Sequence, residues 1–459
     1  MSASGESSAM PSNDEHEMSK PPAPSLSSAL AFWFKLGWIS FGGPAGQIAI
    51  MHDELVERRR WISQSRFLHA LNYCMVLPGP EAQQLATYLG WLMHGARGGI
   101  AAGVLFVLPS LLILGTLSWM YLRWGEQPIA AALLYTVKPA VVAIVLAAAW
   151  RIASRTITHR ALLVLAVMAL VAVGFLKLPF PGVILAAALI GVVLGRVFPD
   201  LAGPRATPQA SSVPGSPCAI DDDDPPPAHA RFHRWRTLRI ALVFLAIWTF
   251  AITVLALPGL GLGPTPLQLA WFHTKAALLT FGGAYAVLPY VYQAAVEHYQ
   301  WLSAAQMIDG LALGETTPGP LIMVVAFVGY LAGWFAQMTG PDSQALAGAI
   351  GATIATVFTF LPSFLFILAG GPLIEGTRHR LALQGPLLGI TAAVVGVIVS
   401  LALFFAQHAL LDASGDPDWF AMAIACIALA MLTRFRRGVI EVVAASALAG
   451  LGYWLVTGL

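Results

Sequence analysis

Two lysines lie inside otherwise apolar stretches, Lys35 in "FWFKLGW" and Lys275 in "FHTKAAL". Each precedes a Phe-Gly-Gly by six residues, Phe41-Gly42-Gly43 and Phe281-Gly282-Gly283. Farther along, Pro78-Gly79-Pro80 and Pro318-Gly319-Pro320 interrupt two more apolar stretches. Proline is tolerated in a first helical turn, and glycine lets a backbone approach a ligand closely. A helix that restarts there presents unpaired N–H groups and roughly +0.5 elementary charge, which suits an anion. An ammonium in an apolar span is costly unless it faces a cavity or reaches the interface, so both lysines are candidate charges for that anion. The candidate substrate-binding set is Lys35, Gly42, Gly43, Pro44, Pro78, Gly79 and Pro80 with Lys275, Gly282, Gly283, Pro318, Gly319 and Pro320. Ala284 stands where the first copy has Pro44. Glu81, after the first Pro-Gly-Pro, and Glu315, before the second, are candidate proton-coupling carboxylates or partners for the lysines. The plainer alternative is that the breaks kink helices for packing and the lysines snorkel.

Other chemistries lack their residues. Cys74, Cys218 and Cys426 have no paired spacing, and "HEMSK" lacks the second histidine of a zinc motif. No nucleophile–base set and no phosphate-binding Walker pattern occurs, so neither an enzyme nor a self-contained ATP-driven pump is expected, and no metal or cofactor. A net charge of +2 gives no reason to expect nucleic acid.

The elements that must position these residues are membrane helices. The 459 residues are 58% hydrophobic and 10% charged, with mean hydropathy +0.73. Soluble domains carry about 25% charged residues, and apolar runs of about 20 mark transmembrane segments. The expected class is an all-α polytopic membrane protein with lipid around it. Residues 1–26 read as a disordered N-terminal tail and 200–236 as a flexible cytoplasmic linker with the acidic run 221–224. They flank a first domain (27–199) and a second (237–459), the latter opening with a linking helix at 236–257.

The two domains repeat. Lys35, Phe41-Gly42-Gly43, Glu57, Trp61 and Pro78-Gly79-Pro80 recur 240 residues later. Leu108-Pro109-Ser110 recurs 253 later as Leu361-Pro362-Ser363, which places an insertion near "QMTGPDSQALAG". Spanning helices are expected at about 99–124, 128–150, 161–178, 180–199, 236–257, 345–370, 386–408, 417–434 and 438–457. The segments 30–57, 66–95, 270–297 and 305–335 are expected to be broken, re-entrant helices. Basic loops at Arg151–Arg160, Arg378–Arg380 and Arg434–Arg437 fall on the linker's side of the membrane. The linking helix adds an odd crossing, so two inverted-topology repeats are expected, an architecture common among secondary transporters.

"FGGPAGQIAIMHDELVERRRWI", "NYCMVLPGPEAQQLATYLGW" and "VLFVLPS", with "FGGAYAVLPYV" and "GETTPGPLIMVVAFVGY" in the second half, closely resemble the chromate ion transporter family. The resemblance spans all but the tail and linker, as in a long-chain, two-domain member. It implies chromate efflux across the bacterial cytoplasmic membrane, conferring resistance, with sulfate as the look-alike oxyanion. It also places the family motifs on Phe41 to Pro44, Glu54 to Trp61, Pro78 to Pro80 and their second-half matches. A sulfate or other oxyanion carrier and an anion channel are the alternatives, and a homodimer is compatible with either.

Overall fold

The computed structural model describes residues 20–41, 43–198, 218–221, 224–225, 227–257, 259, 261–281, 283–376, 384–412 and 414–457. Gly42, Gly282, Arg378–Arg380 and most of the tail and linker lie outside the described residues. The first half runs α1 (Leu26–Ile39), α2 (Gly43–His52), α3 (Gln64–Val76), α4 (Glu81–Trp124), α5 (Pro128–Thr156), α6 (Arg160–Leu170) and α7 (Phe180–Val197). After α8 (Arg234–Leu255), the second half runs α9 (Thr265–Leu278), α10 (Ala284–Tyr292), α11 (Ala304–Thr316), α12 (Val324–Phe335), α13 (Gln344–Gly376), α14 (Gln384–Ala409), α15 (Trp419–Thr433) and α16 (Val439–Thr457). Among the described residues there is no β-strand, only the isolated bridges Ile62–Ile220 and Leu411–Pro417. Seven of the described helices are long and apolar enough to cross a membrane. The chain is an all-α, multi-pass membrane protein.

The broken segments break where the glycines and prolines predict. Helix α1 ends before Phe-Gly-Gly and α2 restarts at Gly43; α3 ends before Pro-Gly-Pro and α4 restarts at Glu81. At 14 residues, α1 and α9 each extend about 21 Å, short of a ~30 Å hydrocarbon core. Backbone conformation repeats with the sequence. Gly43 and Gly283 have φ +73° and +96°, Gly79 and Gly319 +128° and +108°, and Arg60 and Gln300 +49° and +54°. Helices α2 and α10 each continue into a π-helical turn, Asp53–Arg58 and Gln293–His298. The insertion has a structural cause. The first half runs through as α4 with a kink at His94–Gly95, whereas the second half ends α12 and turns through Pro341–Ser343 into α13.

The halves interlock. Helix α1 packs on α4 as α9 packs on α13, and α4 and α13 pack on each other. Helices α6 and α7 lie against α14 of the other half, while α15 and α16 lie against α5. Small residues allow the close approach: a Cβ on Gly191 would run into the Gly385 carbonyl and the Gly389 backbone. Helix α8 has no buried residue and exposes Leu238, Leu242, Leu245 and Phe250, as a lipid-facing helix should.

The linker's described part is held by the chain it crosses. Ala219 N–H donates to Arg60 O, Ile220 N–H to Trp61 O and Ser63 N–H to Ile220 O. Arg66 donates to the Asp224 carbonyl, Lys20 pairs with the Asp224 carboxylate, and His229 Nε2 lies 2.8 Å from Trp91 O. The flexibility expected from composition does not extend to these residues, because backbone pairing and a buried arginine fix them. At the matching place in the second half, Glu297 pairs instead with Lys177, and the Phe180 N–H donates to Gln293. Lys177 and Phe180 lie at the start of α7, the end farther along the helix from the linker.

Candidate transport site

The breaks meet in pairs across the halves. Gly79 N–H donates to Thr280 O at 2.7 Å, and Gly319 N–H donates to Ser40 O at 2.8 Å. Ser40 and Thr280 are themselves repeat partners, each the residue before Phe-Gly-Gly, and each hydroxyl donates back into its own helix, to Leu36 O and Ala276 O. Each Pro-Gly-Pro is thus tied to the opposite half's Phe-Gly-Gly break. Both glycines are also hemmed in by the matched Leu-Pro-Ser serines. A Cβ on Gly79 would stand 2.5 Å from Ser363 Oγ, and one on Gly319 would stand 2.7 Å from Ser110 Cβ.

Amides line the same crossing. The Gln47 side chain donates to Gly319 O and to Ser40 O, and the Gln84 side chain donates to Pro78 O at 2.7 Å and to Ser363 Oγ at 3.3 Å. Gln47 Oε1, Gln83 Oε1, Gln84 Oε1 and Ser110 Oγ are buried without a hydrogen-bond partner. Of these only the Ser110 hydroxyl is a donor that an oxyanion could take; the amide oxygens accept. None of Ser40, Gln47, Gln84, Ser110, Thr280 or Ser363 was a sequence candidate. The matched Leu-Pro-Ser was a usable signal for two of them; the glutamines have no repeat partner to flag them.

Of the sequence candidates, Pro78, Gly79, Pro80, Pro318, Gly319 and Pro320 lie at this crossing, with Pro80 capping α4 and Pro320 the short 3-10 turn Leu321–Met323. Gly43, with nothing within 4 Å of an added Cβ, opens α2 in free space together with Pro44, and no acidic residue stands in that helix's first turn. Gly283 caps α10, and Gly42 and Gly282 lie outside the described residues. Lys35 is exposed on the face of α1 that carries Phe34 and Trp38, and Lys275 is half-buried with its ammonium 6.0 Å from the Trp271 ring centroid. Neither lysine has an acidic partner among the described residues. The two carboxylates converge. Glu315 accepts from the Tyr285 hydroxyl, and Glu81 Oε1 lies 3.9 Å from where a Gly283 Cβ would be, so both reach the start of α10.

Paired helix breaks meet between the two repeated halves of this multi-pass membrane protein. Residues 28–192 and 267–451 match the Chromate transporter family, and the chain belongs to it. It is similar to a chromate transport protein of Pseudomonas aeruginosa, with 33% identity over 99% of both chains. A chromate transport protein of Cupriavidus metallidurans is 28% identical over 94% of each. An uncharacterized transporter of Bacillus subtilis, YwrA, is 29% identical over 37% of this chain and 95% of its own length. No solved structure shows significant similarity to the chain.

Proposed function

We propose that the protein is a secondary transporter that exports chromate across the cytoplasmic membrane and so confers resistance to it. The observation that carries the reading is the reciprocal pair of bonds, Gly79 to Thr280 and Gly319 to Ser40, which ties each Pro-Gly-Pro to the opposite half's Phe-Gly-Gly break. In this conformation both glycine N–H groups are committed to the opposite half. Exchanging one bond for an oxyanion oxygen would open that side and keep the other closed. A tetrahedral dianion has the acceptor oxygens to take those N–H groups and the serine hydroxyls. The N-terminus of α2, with no acidic residue in its first turn, adds positive potential. Lys35 and Lys275 supply charge to the same anion, and Glu81 and Glu315 carry exchanged protons. An inside-negative potential favours the departure of a dianion by about 4.6 kcal/mol per 100 mV.

Opposed topology of the halves is part of the proposal. It is supported by the contacts of α7: residues near Glu57 and Trp61 meet the linker that follows this helix, whereas Glu297 meets Lys177 ahead of it.

The test is anion flux in liposomes holding the purified protein, at clamped potential and pH, with chromate and sulfate compared. Potential-driven chromate flux that is lost in Lys35→Ala and Lys275→Ala is the expected result. Equal flux of sulfate would make the protein a general oxyanion carrier, currents far above carrier rates would make it a channel, and no chromate flux would end the reading.

A further inference from the structure

A cavity of about 810 Å³ lies away from the Pro-Gly-Pro crossing, walled by the loop between α4 and α5, the start of α5, the loop between α14 and α15, and α11. Its charged lining is mostly acidic: Glu126, Asp309, Asp412 and Asp418 against Lys138, with His408 beside them. Helix α12 contributes Trp334 and Phe335 but no charged group. On the topology proposed above, these loops face outward.

Asp309 differs from the other acids. Its side chain is 4% exposed; Oδ2 accepts from the Tyr121 hydroxyl at 2.9 Å and lies 3.5 Å from Lys138 Nζ. Its Oδ1 is buried without a partner. Asp412 and Asp418 are engaged in structure. Asp412 accepts from the backbone N–H groups of Ser414 and Asp416, and Asp418 caps α15 through Ala421 N–H and accepts from the Tyr135 hydroxyl. A buried carboxylate with one oxygen lacking any donor is under-satisfied, and a proton on that oxygen relieves it. Lys138, 26% exposed at the wall, then keeps its charge for the cavity. Six residues on, about 9 Å along the same helix, stands Glu315 at the central crossing.

We propose that Asp309 is the outer proton-loading group of the transporter: it takes a proton on Oδ1 from the acidic vestibule and gives it up again when the transporter turns inward. After that release it is again a carboxylate paired with Lys138. The acidic lining raises the local proton concentration at the cavity, which favours loading of Asp309 from that side. This rests on the transport reading, and the test separates the two.

In liposomes at zero potential, an imposed pH gradient should speed chromate flux through the wild type. In Asp309→Asn, the ratio of flux with the gradient to flux without it should fall to about 1, since a site that no longer binds the proton shifts no equilibrium. A wild-type ratio in that variant overturns the proposal. Should Asp309→Asn fail to fold, Tyr121→Phe keeps the carboxyl and removes its donor. It should move the pH midpoint of the stimulated flux, and an unmoved midpoint is equally fatal. If the wild type carries no chromate at all, the transport reading falls, and infrared spectra of the detergent-solubilised protein decide for Asp309. A titrating protonated-carboxyl band that is weaker in Asp309→Asn supports the proton site; identical bands refute it.

Discussion

Gly79 and Gly319 combine two constraints that no other residue type meets. Their φ angles of +128° and +108° lie where a side chain is strained, and the space beside each is filled by a serine of the matched Leu-Pro-Ser. Gly79→Ala and Gly319→Ala should therefore each cost on the order of 1–3 kcal/mol and also disturb the bonds to Thr280 and Ser40. Gly43→Ala, with φ +73° but open space beside it, isolates the strain and should cost about 1–2 kcal/mol. Thermal unfolding of the three variants in detergent checks the order; equal losses would remove the serines from the argument. At this scale the sequence shows the glycines and prolines, because a repeated helix breaker is visible without partners. It does not show Gln47 or Ser40, whose role exists only through contact with Gly319, more than 270 residues away. Nor does it show which way a lysine faces: Lys35 shares its exposed face with Phe34 and Trp38, a placement set by how α1 packs on α4.

Among the elements, the linker departs most from its composition. Proline and aspartate there gave no reason to expect order, yet two short stretches are pinned to the entry of α3 and to Trp91 in α4. Burial holds the His229 imidazole below its ordinary value, with the positive charge of Arg236 acting in the same direction. A folded value below the unfolded one means the neutral ring's contribution is complete above the ordinary imidazole range and is lost as pH falls through the depressed value. Hydrogen exchange at residues 228–233 should therefore quicken on mild acidification, after correction for intrinsic rates, and a His229→Gln variant should show no such step. The same acceleration in both proteins would exclude His229 as the cause. The helix breaks and the 13-residue insertion, by contrast, were readable, since proline, glycine and a jump in repeat spacing each leave a local mark. The π-helical turns were not, because an i→i+5 bond has no residue signature of its own.

For the molecule as a whole, the all-α membrane class followed from hydropathy, because a bilayer requires long apolar segments with their backbones satisfied. The number of spans did not, since nine were expected and seven of the described helices are long and apolar enough to cross. The exchange of α6 and α7 onto α14, and of α15 and α16 onto α5, did not, since apolar faces of similar composition do not name their partners. The proposed topology makes a direct prediction. Single cysteines placed beside Arg59 and beside Tyr299, in a chain freed of its native cysteines, should be labelled by a membrane-impermeant reagent from opposite sides. Labelling from one side would refute the opposed halves.

Helix α8 now takes on a different significance. It has no fully buried residue, packs along α13 and α9, and joins two halves; the Bacillus subtilis relative, by comparison, is covered over 95% of its length by 37% of this chain. On the proposed topology it adds one crossing between the halves. On that topology it would work as a parity bit: one crossing would turn the second half over, so that a single chain delivers what two half-length chains would otherwise have to achieve by inserting in opposite senses.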